Sequence, residues 1–481
     1  MGRWADHPTV AWVLGMLALA FAAVGAEPYA TSWNDGSRFA SVESLIERGT
    51  FCIDDSIFLK PTPELSARGT PAYEPDNLLL LHGTLDRLFI NDHWYSDKPP
   101  LVSVPLAGIY RAAMAFGVPR PSERPDVFAW VMCLLLSGVP YAIAVGCMWT
   151  LGKRAGLPPV WRLAWLAAFA LATVLPTYTR SANSHIAQLG AVAAICVLLC
   201  RIADDAARGC CAWGSLVAAG FLTGFAYNLD YGVGPPLVPA VLAVVAIRTR
   251  RIMPVLVGAL AVLPCVIAGH AINYAIGGDW LRPLNMHPEY LNWPGNPFST
   301  TMTGILRERL FAQFTYTLDL LFGKKGIFTL NLPLFLALVA GVRALKQPSR
   351  DRLELLALCV WCAIGWLMYG VFSKNHGGWC ISIRWFVPFV VPGFWLLAKV
   401  LVARPEFRRD FALLSVWGAF LSGSAWIVGP WWPRNVPLCW WVFGGTLLTW
   451  GLLRYFASRT KREAALLTFP APGGEAEAKA A

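Results

Sequence analysis

Charge is what this chain has least of. Only 14% of its 481 residues are Asp, Glu, Lys or Arg, where a soluble domain carries about 25%. Too little polar surface is left to cover a water-soluble core, which excludes a soluble enzyme. With 56% apolar residues a disordered protein is excluded as well. There is no phosphate-binding glycine loop and no dinucleotide fingerprint, so nucleotide chemistry has no seat here. The 12 cysteines show no zinc-type Cys/His spacing and make no secreted disulfide framework. Most lie in apolar runs or on the loops between them, as small apolar fillers. Cys52 and Cys380 fall in outer segments and are the pair that an oxidising compartment would allow to bond.

What is present is a succession of long apolar runs, 23 Trp and a mean hydropathy of +0.50. Many of the runs are long enough for a bilayer core of roughly 30 Å, so the chain reads as an all-α integral membrane protein. The formal charge of +11 is unevenly spread. Residues 27–98 hold 12 acidic and 6 basic groups, a net of −6, which leaves +17 for the remainder. That excess sits in short clusters: Lys153/Arg154/Arg162, Arg201/Arg208, Arg248/Arg250/Arg251, Arg343/Lys346/Arg350/Arg352, Arg404/Arg408/Arg409 and Arg454/Arg459/Lys461/Arg462. Positive residues beside spans stay in the cytoplasm, so the clusters report orientation and give no support to a nucleic-acid partner.

Twelve or so transmembrane helices satisfy that rule, near 9–30, 126–150, 161–177, 185–202, 211–228, 233–248, 252–276, 327–345, 354–373, 384–402, 410–429 and 436–454. Both termini are then cytoplasmic. The apolar run within 99–117 would invert every later loop if it crossed, so an interfacial or re-entrant helix is expected there. Residues 1–455 form one transmembrane domain. The stretch 456–481, ending PAPGGEAEAKAA, is expected to be a disordered cytoplasmic tail. The run Val10 to Gly25 ends in small residues, yet in a chain with many later spans it reads as a retained helix.

Two larger outer-face loops remain, 31–98 and 277–326, and function is expected there. The first opens TSWNDGSRFASVESLIERGTF, helical from Asp35 to Arg48, stopped by Gly49, with Ser32 or Asn34 as N-cap. On a helical wheel Asp35, Arg38, Phe39, Val42, Leu45 and Ile46 share an arc of about 120°, and Glu43, Ser44, Glu47 and Arg48 lie opposite. Asp35 is either a helix-start carboxylate paired with Arg38 at i, i+3 or a partly desolvated base facing a substrate. The loop closes INDHWYSDKPPL, which puts Lys98 at a helix start marked by Pro99 and Pro100. A cation against the helix dipole points to a bound anion, with Asp97 as the cheaper partner.

Taken together, Asp35-x-x-Arg38-Phe39 and, some sixty residues on, Asp97-Lys98-Pro99-Pro100-Leu101 resemble the GT-C type of membrane glycosyltransferase that uses polyprenyl-phosphate sugars. The resemblance is to the aminoarabinose transferases acting on lipid A and, more distantly, to the protein O-mannosyltransferases. It is clearest over residues 30–117, with Gly36 where the family tends to have an acid and Phe39 in place of Tyr. The resemblance implies Asp35 as catalytic carboxylate and Arg38 and Lys98 as ligands of a lipid phosphate. It also implies an inner-membrane enzyme of bacterial type, and a lipid, glycan or protein acceptor. Further candidates for substrate binding are Asp97, Asp230 and His185 at the outer edges of separate spans, His287 in the second loop, and Lys374 and Arg384 in the last outer loop. The second loop also offers Arg307 and Arg309. No cofactor is certain, and a divalent metal stays an open option, with Asp35, Asp97 and His287 as the groups that could be brought together to hold it. The rival function is a transporter or flippase for a lipid-linked or anionic solute, which would need ionisable groups near the bilayer midplane. The spans are nearly free of them, so the expected activity is inverting sugar transfer at the outer face.

Overall fold

In a bilayer every backbone group must be satisfied within its own segment, and the apolar runs accordingly fold as helices. The computed structural model describes residues 7, 9–297, 310–373, 375–432, 434 and 436–467. In chain order the main elements are α1 (Thr9–Gly25), α2 (Trp33–Glu47), a hairpin of β1 (Arg87–Ile90) and β2 (His93–Ser96), α3 (Ser103–Met114), α4 (Pro125–Ala155), α5 (Pro159–Leu171), α6 (Ser184–Ala207), α7 (Trp213–Leu229), α8 (Gly234–Thr249), α9 (Ile252–Gly277), α10 (Leu310–Phe322), α11 (Leu334–Lys346), α12 (Arg352–Phe372), α13 (Arg384–Ala403), α14 (Pro405–Val428) and α15 (Cys439–Leu467).

Among the described residues six helices are long and apolar enough to cross a membrane: α4, α6, α9, α12, α13 and α14. The protein is therefore an integral membrane protein, but six is half the number of spans expected from the apolar runs. Helix breakers account for part of the difference. The expected span 161–177 stops at Leu171, and a separate turn, Leu175–Tyr178, follows around Pro176. The expected span 327–345 is broken before α11, where Phe311–Leu330 and Leu334–Lys346 meet at 102° beside Pro333. α1, α5 and α8 are apolar but shorter than these six.

Two further expectations are corrected. Residues 456–467 are not a disordered tail but continue α15, because Ala, Lys, Arg, Glu and Leu are good helix formers and no Gly or Pro interrupts them. The loop expected over 277–326 contains the apolar helix α10; its residues 298–309, with Arg307 and Arg309, lie outside the described residues. The segment expected to be interfacial or re-entrant carries α3, 12 residues long and about 18 Å at 1.5 Å per residue.

α6 is the central helix, buried along most of its length and packed on α4, α7, α8 and α13. Close approach around it depends on small residues. A Cβ added to Gly220 or Gly224 of α7 would stand 2.4 Å from a carbonyl oxygen of α9, so the two backbones touch only because those side chains are missing. α2 is buried almost all round, from Asn34 through Ser44 and at Ile46. Glu43 and Ser44 are thus enclosed although they lie opposite the apolar arc, since the loop after α2 wraps back over that side. Glu43 is held there by Arg48 at 2.6 Å. Phe39 packs against Phe58 and Phe128 in the core beneath. α6 begins beside α2 and runs to Asp204, 19 residues past His185 and so about 28 Å away at 1.5 Å per residue. At that far end Asp204, Asp351 and Glu354 gather Arg154, Arg248 and Lys399 into an interhelical ion-pair network.

Candidate functional site

The site is built on the first turn of α2. Ser32 caps it, its hydroxyl accepting from the Asp35 N–H at 3.2 Å. The turn presents Asn34, Asp35, Ser37 and Arg38, all buried. One oxygen of Asp35, Oδ2, accepts from the Thr31 hydroxyl at 2.7 Å, the Thr31 N–H at 3.3 Å and the Trp431 indole N–H at 3.1 Å. The other, Oδ1, is buried and has no protein partner. Burial pushes the Asp35 carboxyl up to about 6; the hydrogen bonds from Thr31 and Trp431 and the nearby Arg38 oppose that rise.

Arg38 does not bond to Asp35, so the i, i+3 pair drawn from helical spacing does not form. Its Nη2 donates to the Ser184 hydroxyl at 2.8 Å, while Nε is buried without a partner. Burial lowers the Arg38 guanidinium to about 10, with Asp97 supporting the charge and Arg384 opposing it. It therefore stays cationic at neutral pH.

Lys98 arrives from the end of the hairpin. Its ammonium lies 2.8 Å from both Asp97 and Asp86, and Asp97 also accepts from the Ser37 hydroxyl at 3.0 Å. The local partner foreseen for Lys98 is thus present, and Asp86 is a second. Burial raises the Asp97 carboxyl, against the pull of Lys98. Arg384 arrives from the start of α13, its guanidinium over the Trp431 ring at 5.4 Å and its Nε buried without a partner. In the amide orientation that satisfies both cations, the Asn34 oxygen accepts from Arg384 Nη1 and Lys98 Nζ, each at 2.9 Å. One amide oxygen thus ties together α2, the hairpin and α13.

Asp230 borders this cluster at the C-terminal end of α7. Its Oδ1 accepts from Tyr369 at 2.7 Å and from the N–H of Gly232 and Val233, and Oδ2 stands 3.3 Å from His185 Nδ1. Tyr369 in turn stacks on Trp385, the neighbour of Arg384, at 4.1 Å. Asp35, Arg38, Asp97, Lys98, Asp230 and Arg384 therefore assemble in one place. His287 does not: it stands beside Glu289 and Asp279 and stacks on Tyr290. The set of Asp35, Asp97 and His287 considered for a divalent ion is not assembled among the described residues. Lys374 lies outside the described residues. Cys52 and Cys380 are free thiols, Cys380 buried.

Sequence reasoning missed Asn34, Ser37, Asp86, Ser184 and Trp431. Trp431 is 396 residues from the aspartate it touches, and one of 23 Trp carries no local mark. Gly36 has a steric explanation. A Cβ built there would stand 2.2 Å from the Tyr73 hydroxyl, and that hydroxyl is bonded to the Phe58 carbonyl. The slot beside Asp35 is filled by a tyrosine and holds no second acid. Gly36→Ala is expected to cost about 1–3 kcal/mol, as overpacking does, read as a lower Tm in detergent, and Gly36→Glu more.

No family model matches the chain, and no curated protein sequence matches it. Among solved structures it is similar to ArnT from Cupriavidus metallidurans bound to undecaprenyl phosphate, with 16% identity, a TM-score of 0.50, and coverage of 85% of this chain and 63% of that one. The apo state of the same protein gives 16% identity, a TM-score of 0.48 and the same coverage. This chain thus spans less than two thirds of the length of the ArnT chain. The likeness extends over most of the described helices, and the fold of this protein is GT-C-like.

Proposed function

We propose that this protein transfers a sugar from a polyprenyl-phosphate donor to an acceptor hydroxyl at the outer face of the membrane, with inversion. The observation that carries the reading is the free, buried Oδ1 of Asp35 beside Arg38, Lys98 and Arg384, three cations on three separate elements. Asp35 takes the acceptor proton on Oδ1 as the acceptor oxygen bonds to the anomeric carbon. The bond from that carbon to the phosphate oxygen breaks, and the polyprenyl phosphate leaves with the electron pair. Arg38 and Arg384, neither engaged with a carboxylate, neutralise the charge growing on it. Lys98 contributes from a position held by Asp97 and Asp86, and Asp230 braces Tyr369 and Trp385 behind Arg384. A lipid phosphate of this kind is the ligand named for the similar structure. The basic clusters and both termini then lie in the cytoplasm, with the acceptor a lipid, a glycan or a protein.

The test is release of polyprenyl phosphate from a panel of polyprenyl-phosphate sugars by the purified protein in liposomes. Sugar-dependent release supports the reading. Protein-dependent movement of the lipid across the bilayer without release replaces it with a flippase. Within the enzyme reading, Arg384→Ala is expected to lower kcat/KM for the donor by roughly ten-fold or more, as loss of a charge-assisted contact worth about 1.5–3 kcal/mol implies. An unchanged kcat/KM removes Arg384 from the phosphate.

A further inference from the structure

Away from the catalytic cluster, residues 51–54 lie against β2 as a third strand segment. The Ile53 N–H donates to the Trp94 carbonyl at 2.8 Å, and Cys52 pairs with Tyr95 across an antiparallel bridge. That pairing brings Cys52 Sγ, an Asp54 oxygen and a His93 ring nitrogen within 4.8 Å of one another. Asp54 Oδ2 faces His93 Nδ1 at 2.7 Å, while Oδ1 accepts from the Trp94 N–H at 2.7 Å. One carboxylate oxygen is thus fixed by the backbone and the other is aimed at the imidazole, the arrangement that orients a metal-bound carboxylate. The imidazole is exposed and the thiol half-buried, leaving one side of the triangle open to solvent. The ligands are 41 residues apart in sequence, which is why no spacing motif announces them.

We propose that Cys52, Asp54 and His93 form a binding site for a divalent transition metal of zinc type. A thiolate, an imidazole and a carboxylate are the donors that such an ion takes in tetrahedral sites, with water at the fourth position. Hard ions such as magnesium and calcium prefer oxygen ligands throughout and are disfavoured by the thiol. Binding displaces the thiol proton to solvent, and the ion takes the place of the hydrogen bond between Asp54 and His93. Its role is a staple. It fastens residues 51–54 to the hairpin, whose last residue, Ser96, directly precedes Asp97 and Lys98. The metal takes no part in sugar transfer, so the site stands whether or not the proposed activity does.

The experiment titrates cobalt(II) into the full-length, tag-free protein in detergent after chelator treatment. The expected result is one equivalent bound, with a thiolate-to-cobalt charge-transfer absorption that zinc bleaches. That absorption is lost in Cys52→Ser, and affinity falls ten-fold or more in His93→Gln and in Asp54→Asn. Zinc is also expected to raise the Tm of the wild type and not that of the variants. All three substitutions are near-isosteric, and matching metal-free melting curves establish that they fold. A charge-transfer band that survives Cys52→Ser, or no saturable cobalt binding by the wild type, overturns the proposal.

Discussion

Asp35→Asn is expected to lower kcat by about 10²–10⁴-fold, the usual contribution of a positioned general base, and to leave the protein at least as stable as the wild type at pH 7.5. The two halves come from the same burial. The folded-state value is about 6 against an ordinary 3.8, so the fold favours the protonated form. Stability from this group is fully present below pH 3.8 and is lost as pH rises through about 6. A shift of roughly two units at 1.36 kcal/mol each corresponds to at most about 3 kcal/mol held against the charged form. Asparagine carries no charge, and its oxygen can keep the bonds from Thr31 and Trp431, so the substitution relieves that cost. Activity has the opposite dependence, because the base must be unprotonated. The kcat/KM of the wild type is expected to be flat above neutrality and to fall below pH 6, to about a tenth at pH 5. The mutant's residual rate loses that acid limb. Equal rates for mutant and wild type remove Asp35 from the chemistry. A fall in Tm matching the fall in rate assigns it a structural role instead.

The part of this site that was legible in the sequence is the part that local rules govern. Ser32, Asp35 and Arg38 belong to one helical turn, and a cap residue followed by helical periodicity places them on α2 without tertiary knowledge. Lys98 stands out because it precedes a proline pair. What could not be read is how distant segments meet. The 3.6-residue period puts Arg38 next to Asp35, but it says nothing of Ser184, which takes the guanidinium from the start of α6. Hydropathy locates Arg384 at a span edge, but not the Asn34 oxygen that it shares with Lys98. His287 was misplaced for the converse reason: a histidine among aromatic residues in a polar loop looks the same whether it faces a substrate or closes a local pair with Glu289. Helix ends were limited in the same way. Hydropathy averages across Pro176 and Pro333, where the backbone turns.

The far end of the bundle holds the second large expected effect, Asp351→Ala. Asp351 is 1% exposed and lies between Arg154 Nε and Lys399 Nζ, the latter at 3.1 Å. Arg154 also grips Asp204 with both terminal nitrogens, at 2.6 and 2.8 Å, so the Asp351 carboxylate at the start of α12 joins α4 to α13, and Arg154 carries the link on to α6. Removing it leaves Lys399, whose side chain is only 15% exposed, without the carboxylate it faces. Breaking a buried ion pair by deleting one partner costs about 3–5 kcal/mol, mostly because the surviving charge stays desolvated. The same reasoning makes the loss recoverable. Asp351→Leu combined with Lys399→Met removes both charges and is expected to regain most of the Tm lost by Asp351→Ala. Because α6 separates this network from Asp35 by some 28 Å at 1.5 Å per residue, kcat per folded molecule is expected to stay within about two-fold of the wild type, small beside the ten-fold that 1.4 kcal/mol would bring. A large fall in kcat at unchanged Tm would mean that the two ends of the bundle are coupled, with the network acting on the site through α6 rather than holding the helices together.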